Sequence, residues 1–242
     1  DPTLWYYYRG EAPHLVLPPA AHDASAAQRE AAQLAGDGVE RVVLAAQPDP
    51  SWDDQGVAEA ALAEHFRQTA TLQVSRWSVS LYTQPPQTVG GPEAEYTNGL
   101  RLAGAVLASP TSTPQGVLVV HLAWDFAQAQ LTGSETISLQ LLHPSGHLVA
   151  QTDVPLLTGL DLTGVSTTGA VASYGILLPG TLALGPHRLH LVVYDPGVAG
   201  LPRILTRDGR ETVDLFAVEV IRPPGDAAEM SEAVQESYAG AP

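Results

Sequence analysis

The chain contains no cysteine and no lysine; all 11 of its basic residues are arginine. The first absence excludes disulfides, thiolate metal sites and thiol nucleophiles, and leaves the compartment open, because many secreted bacterial proteins also lack Cys. The second excludes Schiff-base chemistry and the lysine of a phosphate-binding loop. Positive charge is scarce altogether. With 26 acidic residues the net charge is −15, the wrong sign for a nucleic-acid partner. No window approaches the roughly 20 uninterrupted apolar residues of a membrane-spanning helix, and no charged-then-apolar leader precedes Asp1. The expectation is a soluble stretch cut from something longer. What is abundant is turn-formers: 22 Gly and 20 Pro, beside 45% apolar residues, point to a turn-rich globular protein and away from a disordered chain or a coiled coil.

The hydrophobic period divides the chain. Over 1–84 the pattern alternates between strands and helices, which predicts a small α/β unit, short enough that an upstream element could be missing. The run His14-Leu15-Val16-Leu17 stops at Pro18-Pro19. Asp23 or Ser25 then caps a helix whose thin apolar stripe is Ala24, Ala27, Ala31 and Leu34, with Gly36 and Gly38 as the stop. Arg41 to Ala46 lacks alternation and predicts a strand covered on both faces. A second helix is expected near Gly56 to Gln68, then two strands, Thr71 to Trp77 and Ser78 to Tyr82. Residues 85–95, with Pro85-Pro86 and Gly90-Gly91-Pro92, read as a linker.

Beyond the linker the period becomes two. Leu118, Val120, Leu122 and Trp124 fall on one face, and Val117, Val119, His121 and Ala123 on the other. Ile137, Leu139 and Leu141 lead through His143-Pro144-Ser145-Gly146 into a second strand, which makes a hairpin. With Leu100 to Leu107, Ser173 to Leu178, Arg188 to Tyr194, Arg203 to Thr206 and Thr212 to Ile221, about eight strands predict an antiparallel β-sandwich over 96–222. The fold class expected is therefore α+β in two parts. The stretch 223–242 is acidic and almost free of large apolar groups, and reads as a disordered tail.

No active site stands out. Asp49, Asp53 and Asp54 beside Trp52 could hold Ca²⁺, but the spacing of an EF-hand loop is missing, and acids at a helix start serve as caps. His143 and His147 flank a turn and cannot act as an i, i+4 pair; His187 and His190 should face opposite sides of their strand. His121, Trp124 and Asp125 at a strand end read as a partly buried His beside a core Trp. No Gly-x-Ser-x-Gly or Gly-x-Gly-x-x-Gly occurs, and nothing singles out a carboxylate pair for glycoside hydrolysis. No cofactor, metal or catalytic residue is expected. The flat apolar faces and polar edges of Trp5, Tyr7 and Trp52 make them candidate glycan contacts, although the run Trp5-Tyr6-Tyr7-Tyr8 equally suits packing or a bilayer surface.

The opening Leu4-Trp5-Tyr6-Tyr7-Tyr8-Arg9-Gly10-Glu11-Ala12-Pro13, followed by Val39-Glu40-Arg41-Val42-Val43-Leu44 and Trp52-Asp53, resembles the extracytoplasmic stretch after the last membrane helices of bacterial polytopic glycosyltransferases of the protein-mannosyltransferase-like and aminoarabinose-transferase-like families. Leu139 to Pro155, Tyr174-Gly175-Ile176-Leu177-Leu178-Pro179 and Gly185 to Pro196 resemble a β-sandwich appended there. The resemblance implies a non-catalytic accessory region, extracytoplasmic and tethered to a membrane-embedded part of the same polypeptide, whose transferase uses a lipid-linked sugar donor. The catalytic carboxylate of that family lies between its first membrane helices, so no catalytic residue carries over. The rival expectation is a self-contained secreted module that binds carbohydrate or protein. A hydrolase whose acids cannot be picked out is a third.

Overall fold

A computed structural model describes residues 13–46, 51–53, 55–158 and 168–223. The first unit holds helices α1 (Ala24–Gly36) and α2 (Val57–His65) and strands β1 (Arg41–Ala46), β2 (Arg67–Val74) and β3 (Trp77–Thr83). Asp23 starts α1 by accepting from the Ala26 amide at 2.9 Å, satisfying a first-turn donor that has no partner within the helix. Helices and strands alternate as expected, but the sheet differs from a parallel α/β layer. Its order is β1-β3-β2, and both pairings are antiparallel. Because β1 and β2 both run against β3, α2 carries the chain between parallel strands that β3 separates, a split β-α-β arrangement.

That sheet has one buried face. Val42, Leu44 and Tyr82 pack with Ala27, Ala31, Leu62 and Phe66 of the helical side. The opposite face carries Val43, Ala45, Leu81, Val79 and Leu72 in register, and Val43 is 66% exposed. The expectation that β1 is covered on both faces is therefore wrong: its unbroken apolar run marks one buried and one open face. The second helix also ends earlier than expected, at His65. Phe66 turns extended and buries its ring, and the Arg67 guanidinium donates to the carbonyls of Ala63 and Phe66. The two following strands are a hairpin turned at Ser75-Arg76, where Ser75 takes a positive φ of 57°.

The second unit is β-rich. One sheet, ordered β10-β7-β5-β4, comprises β4 (Ala94–Glu95), β5 (Arg101–Leu107), β7 (Val117–Asp125) and β10 (Thr168–Leu177). The other, ordered β6-β12-β11-β8-β9, comprises β6 (Thr111–Ser112), β8 (Thr136–Leu142), β9 (Leu148–Pro155), β11 (Gly185–Tyr194) and β12 (Val213–Val220). All pairings are antiparallel except the short β6–β12 contact. Inward residues of both sheets form one core, among them Leu102, Leu122 and Trp124 from the first and Leu139, Leu191 and Val218 from the second. This is a sandwich-like packing of alternating strands. Its nine strands among the described residues exceed the expected eight because two are only two residues long. Arg203 to Thr206 forms no strand and makes single bridges at its two ends, to Tyr194 and Tyr96.

The stretch read as a linker is held in place. Ala105 N donates to the Gly90 carbonyl at 2.8 Å, so 89–95 runs along β5, and Glu95 belongs to β4. Gly104 permits the approach, since a Cβ there would lie 2.7 Å from the Val89 carbonyl oxygen. The two units also touch. At Gly175 on the outer face of β10, a Cβ would sit 2.3 Å from the Thr69 carbonyl oxygen of β2. The tail expectation concerns 224–242, outside the described residues.

Candidate functional site

Of the residues expected to meet glycan, Trp52 alone lies among the described residues. Trp5 and Tyr7 lie outside the described residues. Trp52 is 39% exposed, but its indole N–H donates to the Pro18 carbonyl at 3.2 Å and its own carbonyl accepts from the His22 amide, so the ring fastens the loop to the chain ahead of α1. Beside it, both carboxylate oxygens of Asp53 accept from the first amides of α2, Val57 at 2.7 Å and Ala58 at 3.0 Å. That is the capping reading of the acidic loop, as the helix N-terminus favours; Asp49 and Asp54 are outside the described residues.

The histidines separate much as their spacing requires. His187 is buried with Nδ1 3.0 Å from the Gly185 carbonyl, while His190 on the opposite face has Nε2 3.3 Å from Asp214 Oδ1. His143 pairs with Ser145 at 2.6 Å inside its turn. The rings of His143, His147 and His187 gather at centroid separations of 6.4 and 5.7 Å, a grouping that sequence spacing gives no hint of. Among the described residues no three His, Asp or Glu side chains are arranged to hold a metal ion. His121 is buried on the outer face of β7, within hydrogen-bond reach of Ser173 at 2.8 Å. Burial, helped by the charge of Arg41, depresses its pKa below the ordinary value. Trp124 is fully buried in the core, where its indole leans toward Tyr96 at a centroid distance of 6.5 Å.

Among the described residues, two acids come together at Glu135 and Asp195. Glu135 Oε1 and Asp195 Oδ2 each lie 3.1 Å from the Thr132 hydroxyl, whose single proton goes to one of them at a time. Glu135 further takes the amides of Thr132 and Gly133, and Asp195 takes the Ser134 hydroxyl and the Gly197 amide. The Ser134 bond, then the Gly197 amide, hold the Asp195 carboxyl below the usual carboxylate range. Both groups are buried. Each carboxylate is committed to loop closure. The Asp195-Pro196-Gly197 turn signal could have revealed half of this clasp from sequence.

Two shallow cavities stand out among the described residues. One, of about 240 Å³, is walled by Arg41 and the 109–119 segment where the units meet. The other, of about 280 Å³, is lined by arginines already matched to acids: Arg101 to Glu93 at 2.6 Å, Arg207 to Glu95 at 2.7 Å and Arg210 to Asp208 at 2.8 Å. Exposed pairs of this kind contribute little stability and leave no uncompensated charge.

The outer face of the five-stranded sheet is different. Because Ile137, Leu139, Leu141, Leu189, Leu191 and Val193 point inward, alternation turns Ser138, Gln140, His190 and Val192 to the opposite face, where Ser138 and Val192 are buried and Gln140 and His190 are half-buried. Register then aligns Gln151, Gln140, His190 and Asp214 across four strands, with Asp153, Ser138 and Val192 in the next row and Tyr194 opposite Thr136 beyond it. Gln151 donates to Asp153 at 3.1 Å and Gln140 to Ser138 at 3.2 Å, which orients both amides. Burial and the Asp153 charge raise the Tyr194 phenol above its ordinary pKa, so it stays a neutral donor. The row offers planar donors and acceptors and an aromatic edge.

No family model and no curated protein matches the chain. Among solved structures, the crystal structure of the C-terminal domain of wzt is similar over 55% of this chain and 81% of its own length, at 11% identity and a TM-score of 0.36. A likeness of that degree carries no argument about function.

Proposed function

We propose that the chain is a non-catalytic, extracytoplasmic accessory region of a membrane glycosyltransferase that uses a lipid-linked sugar donor, and that it contacts acceptor glycan through the outer face of the five-stranded sheet. The row of Gln151, Gln140, His190 and Asp214 carries this reading. Carboxamides and carboxylates fixed on a flat support match the alternating donors and acceptors of sugar hydroxyls, and the support is rigid because strands, not loops, present it. The Glu135–Asp195 pair, the sole close carboxylate pairing through a shared hydroxyl among the described residues, supports the non-catalytic part, since its oxygens are occupied.

A glycan array probed with the purified chain tests the ligand. Binding that disappears in Gln140→Ala and His190→Ala supports the face; binding that persists in both, or binding to no glycan, overturns it. The parent is tested separately by the full-length gene, where hydrophobic 20-residue segments upstream of Asp1 support a membrane transferase and a secretion signal immediately before Asp1 counts against it. One observation favours the rival, a self-contained binding module: the sandwich-like unit closes its own core, separate from the helical cluster of the first unit.

A further inference from the structure

We infer that the cavity at the junction of the two units is a binding site for a phosphate group, free or carried as an ester. The inference goes beyond the glycan reading and stands without it, because the cavity shares no residue with the Gln151–Gln140–His190–Asp214 row. One wall comes from the segment Ser109-Pro110-Thr111-Ser112-Thr113-Pro114-Gln115-Gly116, which carries four hydroxyls and no charge. Its backbone is held in place. The Glu219 amide donates to the Pro110 carbonyl at 2.9 Å, the Ile221 amide to the Ser112 carbonyl at 2.8 Å and the Leu178 amide to the Gly116 carbonyl at 2.9 Å. Pro110 and Pro114 fix their own φ angles as well. Ser109 Oγ donates to the Thr111 carbonyl at 2.9 Å, whereas Ser112 Oγ and Thr113 Oγ1 have no hydrogen-bond partner among the described residues. Both free hydroxyls lie beside Gly116. A Cβ there would sit 3.1 Å from Thr113 Oγ1 and 3.3 Å from Ser112 Oγ, so glycine keeps the space before them open.

The class of ligand follows from the charge. Arg41, at the exposed start of β1, faces this wall from the first unit and is the one charged residue that lines the cavity among the described residues. Arg101, Arg203, Arg207 and Arg210 are each matched to an acid, and Arg67 to two carbonyls. The Arg41 guanidinium has neither kind of partner among the described residues. Glu40, its neighbour in sequence, and Glu219, in register with Thr111, do not line the cavity. A guanidinium fork beside unpartnered hydroxyl donors fits an oxyanion, and a chain of net charge −15 supplies none of its own here. A carboxylate can occupy the fork alone. The oxygens of a tetrahedral phosphate reach the fork and the hydroxyls together. The cavity measures about 240 Å³ against about 30 Å³ for a water, so it admits a phosphate with room for an ester substituent. Arg41 comes from the first unit and the hydroxyls from the second, so the bound group bridges them.

Amide NMR of the purified chain, titrated with inorganic phosphate at constant ionic strength, tests the site. Saturable shifts should gather on Arg41 and on residues 111–116. Arg41→Gln, at an exposed position, should weaken phosphate binding about ten-fold. Ser112→Ala with Thr113→Val should weaken it too while leaving the guanidinium in place, and unchanged amide positions elsewhere confirm that both variants fold. Shifts that are absent, that scatter over the surface or that both variants leave intact overturn the inference, as does acetate binding as tightly as phosphate. Glycerol 1-phosphate binding more tightly than inorganic phosphate assigns the site to a phosphate ester; binding no tighter assigns it to the free ion. None of these outcomes depends on the glycan array.

Discussion

His121 occupies a position where a residue-scale property reports on the contact between units. Its imidazole is buried against Ser173 with the Arg41 charge nearby, so the folded protein resists its protonation. The unfolded chain has no such resistance and takes up the proton at the ordinary value of 6.5. A base whose folded pKa is depressed costs nothing while both states are neutral. As pH falls through 6.5 the unfolded state gains the proton first, and stability drops until the folded value is passed. His121→Gln keeps a hydrogen-bonding partner for Ser173 and removes the titration. Urea unfolding at about pH 8 and about pH 5.5 should show a smaller loss in the variant than in the parent chain. Equal losses would mean that His121 does not govern this window.

Elements with strong local signals were legible in the sequence. The strict alternation of Leu118 to Trp124, and the hairpin through His143 to Gly146, needed no tertiary information, because period and turn chemistry agreed. The Asp53 cap was legible for the same reason. We expect Asp53→Ala to cost about 1 kcal/mol through loss of the cap on α2, measured by thermal unfolding, and added Ca²⁺ should not shift the midpoint of the parent chain. A calcium-dependent rise would restore the metal reading of that loop. What failed was whatever depends on partners distant in sequence. Periodicity cannot say that β3 inserts between β1 and β2, nor that the open side of β1 is bare. The Gln151–Gln140–His190–Asp214 row comes from four strands and exists only once register is set, so no window of sequence contains it. Composition likewise cannot tell a Gly-rich tether from a Gly-rich contact, which is why 85–95 read as the former.

At the scale of the molecule, two cores meet where backbone approaches backbone. Gly175 is the tightest point, because its missing side chain lets the Thr69 carbonyl rest on β10. Gly175→Ala should push β2 away and uncouple the first unit from the sandwich. Calorimetry should resolve one transition in the parent and two in the variant, or else protease cleavage near residues 85–88 should accelerate. An unchanged single transition and unchanged cleavage would show that the contact is dispensable. The clamped passage along β5 bears on how the molecule could be divided. Residues 89–95 occupy the flank of the four-stranded sheet, with the Gly90 carbonyl engaged by the Ala105 amide. A sandwich started at Ala94 would leave that flank bare, with free amides and carbonyls offered to any extended strand, and copies would join there into aggregates. The natural seam between the units therefore lies before Val89, and the glycines that looked like slack act as a selvage that keeps the sheet from unravelling into its neighbours.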